Sequence, residues 1–546
     1  MVCWRVRATT LKWSASNVDV DAAAAPVEVV ARAADADGAV IPDAAARVVA
    51  VARATTIRRS LEIQPAHLNQ QGVFAPGGKA HGSPTGGIRL PEIGKPVLSG
   101  IDREAPGYGA RWRAAVIPLA LIVLALIVLA LALSLPRLTT PAVYVFDELY
   151  YAYTAGKYVA GDEAYSTEIP PRDDPAIEWT HPPLAKLLIA GGILIAGDNP
   201  LGWRMASVLF GVAGVVIAYL LALSLTGNRV TSGVAAGLLL MDGLYLVESR
   251  TGMSNLFVLV FANGVLLAFS RVLTVPPERV GPPLLATGLF IGLGVATKWS
   301  GIALAGLVVL VVCWRTLQLW HLSRPKNQSA APDALAGLRA HLRWAPIALL
   351  AVPIAIYLGS YLHFWRTGHN WADFIALHRD MLAYHRNLGV VHEDSSPWWQ
   401  WPLAARGVWY YVDERRRDGS FVFANGNPLL YWPMVVAVAW VAIDWWGRRS
   451  TALLILVIGF FGQWLPWAFS PRGTFIYHFL PAVPLGCMAL AVVLTGAWQQ
   501  GGASRIAATA YTVAVIATFA WFYPLYTAIP LSPEQVDLRM WLASWR

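Results

Sequence analysis

Residues 114–135 read AAVIPLALIVLALIVLALALSL, twenty-two consecutive positions without a charge. A straight helix needs ~20 apolar residues to cross the hydrocarbon core of a bilayer, so this stretch is a membrane span. Arg111 and Arg113 stand just before it. Basic residues next to a span stay on the cytoplasmic side, which places the N-terminus inside. Working outward, the pattern recurs at about 204–225, 230–247, 255–273, 282–297, 300–316, 344–362, 427–446, 451–469, 476–495 and 506–528. Several of these are shorter than a straight span requires, and the count is about eleven. The expected fold class is an all-α polytopic membrane protein.

Composition agrees. Of 546 residues, 56% are hydrophobic and only 14% charged, with apolar residues in long blocks. The net charge of +9 does not indicate nucleic acid, because the basic residues lie in short loops between spans. The loops expected inside carry Arg229; Arg271 and Arg279; Arg315, Arg324, Lys326, Arg339 and Arg343; Arg448 and Arg449; and Arg505. The first loop expected outside, 136–203, instead carries Asp147, Glu148, Asp162, Glu163, Glu168, Asp173, Asp174 and Glu178. Three cysteines, Cys3, Cys313 and Cys487, supply neither a disulfide framework nor a zinc spacing.

Residues 1–105 differ from the rest. They are rich in Ala, Val, Asp and Gly, include GVFAPGGKAHGSPTGG at 72–87, and show no sustained period. They read as a disordered cytoplasmic extension without a secretory leader, or as the product of a start site set too far upstream. The membrane domain is 106–546, with two long outer loops at 136–203 and 363–426. Long loops in a compact protein are often functional.

The same topology gathers polar residues on the outer face: Asp147 and Glu148; His181 and Lys186 in HPPLAK; Arg204 in GWR; Asp242, Glu248, Arg250 and Asn255 in MDGLYLVESRTGMSN; Lys298 in ATKWSG; and His478 in YHFLP. Ionisable groups near membrane depth usually face a cavity or a partner. Cations suit a phosphate leaving group, and a carboxylate suits deprotonation of an attacking hydroxyl. Together they suggest group transfer from a phosphate-linked lipid donor. Each residue also has a structural reading. Asp147 and Glu148 fit the first turn of an interfacial helix. Arg204 and Lys298 fit snorkelling anchors. Asp242, Glu248 and Arg250 fit an internal salt bridge. On a helix, residues 147 and 148 diverge by about 100°, so one can act on substrate while the other holds a cation. His378, His385 and His392 stand seven apart, which does not suit two metal ligands on adjacent turns, and no metal site is expected. An outer-face carboxylate cluster could still recruit a divalent ion weakly.

The words FDE, HPPLAK, GWR, DGLYLVESR, ATKWSG, SPWWQWPL, GNPLLYW, YHFLPAVP, FYPLYTAIP and MWLASW occur in this order across roughly 110–546. The ordered set resembles the protein O-mannosyltransferase family, bacterial type, within the GT-C membrane glycosyltransferases. That resemblance implies a GT-C fold and transfer of mannose, with inversion, from a polyprenyl-phosphate-mannose donor to Ser or Thr hydroxyls of secreted proteins. The reaction would take place on the outer face of the cell membrane, without a cofactor. The implied partners are the donor lipid, the acceptor proteins, the bilayer and the secretion translocon. Residue by residue it implies Asp147 as catalytic base with Glu148 beside it, and Arg204 as a donor-phosphate contact. Lys298 and Arg250 join as phosphate-binding candidates, and His181, Lys186, Asp242, Asn255 and His478 as further site candidates. Where the family usually has an Asp after the SR of its third motif, this chain has Ser254-Asn255. An Asn hydrogen-bonds but carries no charge. A GT-C transferase with a lipid or cell-wall glycan acceptor is the alternative. A transporter or scaffold would place charges through the bilayer midplane instead.

Overall fold

The computed structural model describes residues 108–165, 177–324, 331–388, 392–413, 419–448 and 450–546. The expected N-terminal extension lies outside these residues, as do Glu168, Asp173 and Asp174 of the acidic loop.

Helix α1 (Tyr108–Ser134) carries the opening stretch. The first outer loop holds α2 (Glu148–Ala160) and α3 (Leu184–Ala196). Helix α4 (Pro200–Thr226) starts cleanly because Asn199 caps it, accepting from the amides of Leu201 at 2.9 Å and Gly202 at 3.3 Å, with Pro200 at the first position. Then follow α5 (Arg229–Leu240), the short α6 (Gly243–Glu248), α7 (Asn255–Thr274), α8 (Gly281–Thr297) and α9 (Gly301–Leu322). Helix α10 (Ala331–Pro346) passes through one π turn, Ile347–Ala351, into α11 (Val352–Ser360). The second outer loop contains α12 (Leu362–Arg366), α13 (Trp371–Asn387), a 3-10 turn at Trp398–Leu403 and the strands β1 (Val408–Asp413) and β2 (Ser420–Ala424). Helices α14 (Pro428–Arg448), α15 (Thr451–Trp464), α16 (Val483–Gln500), α17 (Gly502–Tyr526) and α18 (Pro533–Asp537) complete the described chain.

Every expected span falls on helical segments, some of them on more than one. Among the described residues, eight helical segments are long and apolar enough to cross a membrane; α3, α5, α8 and the apolar part of α14 are shorter. The span containing α16 is 89% buried inside the protein and that of α1 only 17%, so α16 is central and α1 peripheral.

Three features depart from the sequence reading. The acidic first outer loop contains the apolar helix α3, whose Leu194 and Ile195 are exposed. The expected span 230–247 breaks at Met241–Asp242, because Asp242 caps a new helix, α6, by accepting from the Tyr245 amide at 3.0 Å. The helical frame also carries one antiparallel strand pair, β1 with β2. Its register shifts between Trp409 and Tyr411, leaving Tyr410 at the irregularity. Such a bulge re-aims a side chain, and Tyr410 points into the protein with 4% exposure.

Close backbone contact fixes the first outer loop against the bundle. A side chain on Gly192 of α3 would meet the Gly202 carbonyl of α4 at 2.4 Å. Only glycine admits that approach, which brings α3 against the first turn of α4.

Candidate active site

The two adjacent acids have opposite environments. Glu148 is fully buried and every acceptor position is occupied. Its Oε1 accepts from Arg204 Nε at 2.9 Å and from the Gly252 amide at 2.9 Å. Its Oε2 accepts from Arg204 Nη2 at 2.9 Å and from the Val145 amide at 3.0 Å. Asp147, one residue earlier, is half-buried, and no described residue hydrogen-bonds its carboxylate. Burial pushes its carboxyl up to about 6; Lys298 and Arg472 pull it down and Glu178 pushes it further up. An unengaged carboxylate titrating in that range is equipped to take a proton near neutral pH.

Arg204 does not have the role expected of it. Besides Glu148, it donates to the carbonyls of Leu138 at 2.8 Å, Pro141 at 2.9 Å and Val143 at 3.0 Å. A guanidinium has five N–H donors, and protein atoms take all of them. At 2% exposure it holds the loop before α2 and has no donor left for a phosphate. That engagement suits a residue that positions the loop.

Lys186 is engaged in the same way. Its ammonium donates to the Glu178 carbonyl and Oε2, both at 2.6 Å, and to the His181 carbonyl at 2.8 Å. Glu178 Oε1 faces His181 Nδ1 at 2.9 Å. Burial alone would raise Glu178, but Lys186 and His181 hold it well below the ordinary carboxylate range. Burial lowers His181 to about 3 against the pull of Glu178, so the imidazole is neutral. With Nδ1–H assigned toward the carboxylate, Nε2 is an acceptor, and it is buried without a partner among the described residues.

The turn from Glu248 to Asn255 connects the site, but not as an internal salt bridge. Arg250 Nη1 donates to the Ser134 carbonyl and to the Pro136 carbonyl at 2.7 Å, tying down the end of α1. Asp242 accepts from the Asn427 amide at 3.0 Å, joining α6 to the start of α14. Through these bonds Arg250 holds the end of α1 and Asp242 holds the start of α14. Gly252 must be glycine: a Cβ there would lie 2.6 Å from the Trp203 carbonyl. Asn255 is a coupler. Its Oδ1 accepts from Lys298 Nζ at 3.0 Å and its Nδ2 donates to Glu248 Oε1 at 3.2 Å. An amide satisfies both neighbours, whereas a carboxylate at 255 would face Glu248. Tyr410 donates to the same Glu248 Oε1 at 2.6 Å and stacks on Phe146 at 4.6 Å, linking the second outer loop to the residue before Asp147.

Lys298 keeps donors in reserve. Asn255 takes one, and the ammonium lies 5.7 Å from the Tyr477 ring. His478 accepts from the Phe475 amide through Nδ1 at 3.1 Å and packs on Trp467 at 4.0 Å between ring centres. It also lines a mainly apolar groove of about 270 Å³ between α7, α9 and the segment after α15, with Val258, Ala262, Leu304 and Trp467. The groove reaches Trp299, next to Lys298, and Ser470. The half-buried Asp147 carboxylate, the buried Lys298 ammonium and a mainly apolar groove that reaches the residue after Lys298 are the elements of the candidate site.

Comparison with known proteins decides the family. Residues 124–367 match the model for dolichyl-phosphate-mannose-protein mannosyltransferase, and residues 370–545 match the C-terminal four-transmembrane region of protein-O-mannosyltransferase. The chain belongs to the protein O-mannosyltransferase family. It is 27% identical over 479 residues to a polyprenol-phosphate-mannose–protein mannosyltransferase of Mycobacterium tuberculosis, covering 76% of this chain and 89% of that one. Its identity to the enzyme of the same name from Mycolicibacterium smegmatis is 26% over 532 residues, covering 85% and 99%. The structure of the S. cerevisiae protein O-mannosyltransferase complex bound to the sugar donor superposes with a TM-score of 0.65 at 15% identity, covering 78% of this chain and 92% of that chain. That likeness establishes the GT-C fold.

Within this family frame, sequence reasoning missed four residues of the site. Glu178 stands in the sequence reading as one acid of the outer loop, and Glu248 as one of the outer-face polar residues with a salt-bridge alternative, neither with a role in the site. Tyr410 and Arg472 lie outside the motifs that carry the resemblance. No local pattern marks Tyr410, since its direction depends on a bulge. Arg472 stands in the motif-poor SPRGT.

Proposed function

We propose that the protein transfers mannose from polyprenyl-phosphate-mannose to Ser or Thr hydroxyls of secreted proteins, on the outer face of the cell membrane and with inversion. The names of the near-full-length relatives support the donor and a protein acceptor. The observation that carries the mechanism is the contrast between Asp147, open, and Glu148, wholly engaged.

In this reading the acceptor hydroxyl gives its proton to an Asp147 oxygen as its own oxygen bonds to the anomeric carbon. The bond from that carbon to the phosphate oxygen breaks, and its electron pair leaves as polyprenyl phosphate. A single displacement needs one base and no covalent intermediate, unlike the paired carboxylates of retaining hydrolases. Lys298 stabilises the developing phosphate charge. Glu148 and Arg204 position the loop that carries the base. Charge neutralisation falls to side-chain cations, so transfer is expected to survive chelation of divalent ions.

The test is transfer of radiolabelled mannose from the purified donor lipid to a Ser/Thr peptide by the purified protein. No labelled peptide would sink the protein-acceptor reading. Mass spectrometry of secreted proteins from a deletion strain gives an independent answer, with Ser/Thr-linked mannose expected to disappear.

A further inference from the structure

Five cations surround the candidate site, and their partners separate them. Arg204 and Lys186 have every donor taken by protein atoms. Arg250 is tied to the carbonyls at the end of α1. Lys298 has one hydrogen bond and two donors unassigned. Arg472, between α15 and α16, is half-buried, and its guanidinium has no partner among the described residues.

The loop around Arg472 is held in place. Ser396 donates through its amide to the Thr474 carbonyl at 2.7 Å, and Thr474 Oγ1 donates to the Ser396 carbonyl at 2.8 Å. Phe475 and Tyr477 pack on Phe146, with ring centres 6.4 and 6.2 Å apart, and Tyr477 also faces Lys298. The segment carrying Arg472 thus lies against both the residue before Asp147 and the lysine. Ser470, two residues before Arg472, lines the same apolar groove as Trp299, which adjoins Lys298. A half-buried guanidinium that no described residue engages is open to an anion brought to this place.

The geometry points to Arg472 as a direct ligand of the donor's phosphate, forming with Lys298 a two-cation clamp at the mouth of the groove. The inference rests on the proposed polyprenyl-phosphate donor. It moves the phosphate-binding role from the arginine the motifs indicate, Arg204, to one in a loop that they pass over. Arg472 supplies the fork that can hold two phosphate oxygens, and Lys298 a point charge. The electrostatic pull of Arg472 on Asp147 supports the same placement.

The test uses full-length protein in lipid nanodiscs and two probes, polyprenyl phosphate and the same polyprenol lacking the phosphate. Wild type is expected to prefer the phosphate. Arg472→Ala should weaken polyprenyl phosphate binding roughly ten- to hundredfold, the worth of a charge-assisted hydrogen bond, and leave polyprenol binding unchanged. Arg472→Lys should recover part of the loss. Arg379→Ala, on the exposed side of α13, should bind both probes as wild type does. Three results would overturn the clamp: unchanged phosphate binding in Arg472→Ala, equal loss of both probes, or an equal effect of Arg379→Ala. Mannose transfer is scored separately. A wild type that selects the phosphate through Arg472 yet transfers no mannose overturns the enzyme reading and leaves the clamp standing.

Discussion

Asp147 and Glu148 show how far chemical identity is from chemical role. Both are carboxylates in one loop, yet four hydrogen bonds engage Glu148 and none engages Asp147. Asp147→Asn keeps the shape and removes the base. It should lower transfer by roughly 10²–10⁴-fold, the usual worth of general base catalysis, with an unchanged melting temperature. The same residue sets a pH limit. Its carboxyl lies near 6, raised by burial and lowered by Lys298 and Arg472, so activity falls as pH drops through that value and the base is protonated. Lys298 is lowered to about 8 by burial and by Arg472, with Asp147, Glu248 and Glu178 opposing. Activity should therefore fall again as pH rises through about 8 and the ammonium loses its charge. A bell-shaped profile of kcat/KM is the expected measurement, and Lys298→Arg should move the alkaline limb upward.

At the scale of elements, the site is assembled by short irregular pieces rather than by the spans. The loop before α2, the first turn of α4 and the turn from 248 to 255 meet at the Arg204–Glu148 pair. Breaking that pair leaves Glu148 as a buried, unpaired charge, at a cost of roughly 3–5 kcal/mol. Arg204→Ala should therefore lower the melting temperature of the purified protein as well as its activity. A normal melting curve with a raised KM for donor would instead return Arg204 to the phosphate. The β1–β2 pair matters for a similar reason: its bulge lies at Tyr410, which bonds Glu248, so hydrogen bonds join the second outer loop to the Asn255–Lys298 contact.

At the scale of the whole molecule, helices supply the membrane frame and the loops at one end supply the chemistry. The basic short loops and the acidic first long loop predict the orientation of that frame. In a chain whose three cysteines are replaced by serine, Asp162→Cys should react with an impermeant thiol reagent added outside intact cells, and Arg505→Cys only after lysis. The reverse labelling would invert the topology and move the proposed active site to the cytoplasm. Equal labelling would mean that the frame is not oriented as the charges dictate.

The positions of the spans, the fold class and the family words were legible in the sequence, because long uncharged runs and ordered motifs are local properties. The first acid pair was legible too, including the divergence of neighbouring residues on a helix. What only the tertiary structure decided was which charges are free. Arg204, Lys186 and Arg250 resemble Lys298 and Arg472 as letters, but the donors of the first two are filled by protein acceptors and Arg250 is tied to backbone carbonyls. Those acceptors come from carbonyls and carboxylates that lie up to 116 positions away along the chain. Sequence spacing does not encode such long-range hydrogen bonds; packing does, by leaving a buried charge no alternative but the partners the fold brings to it.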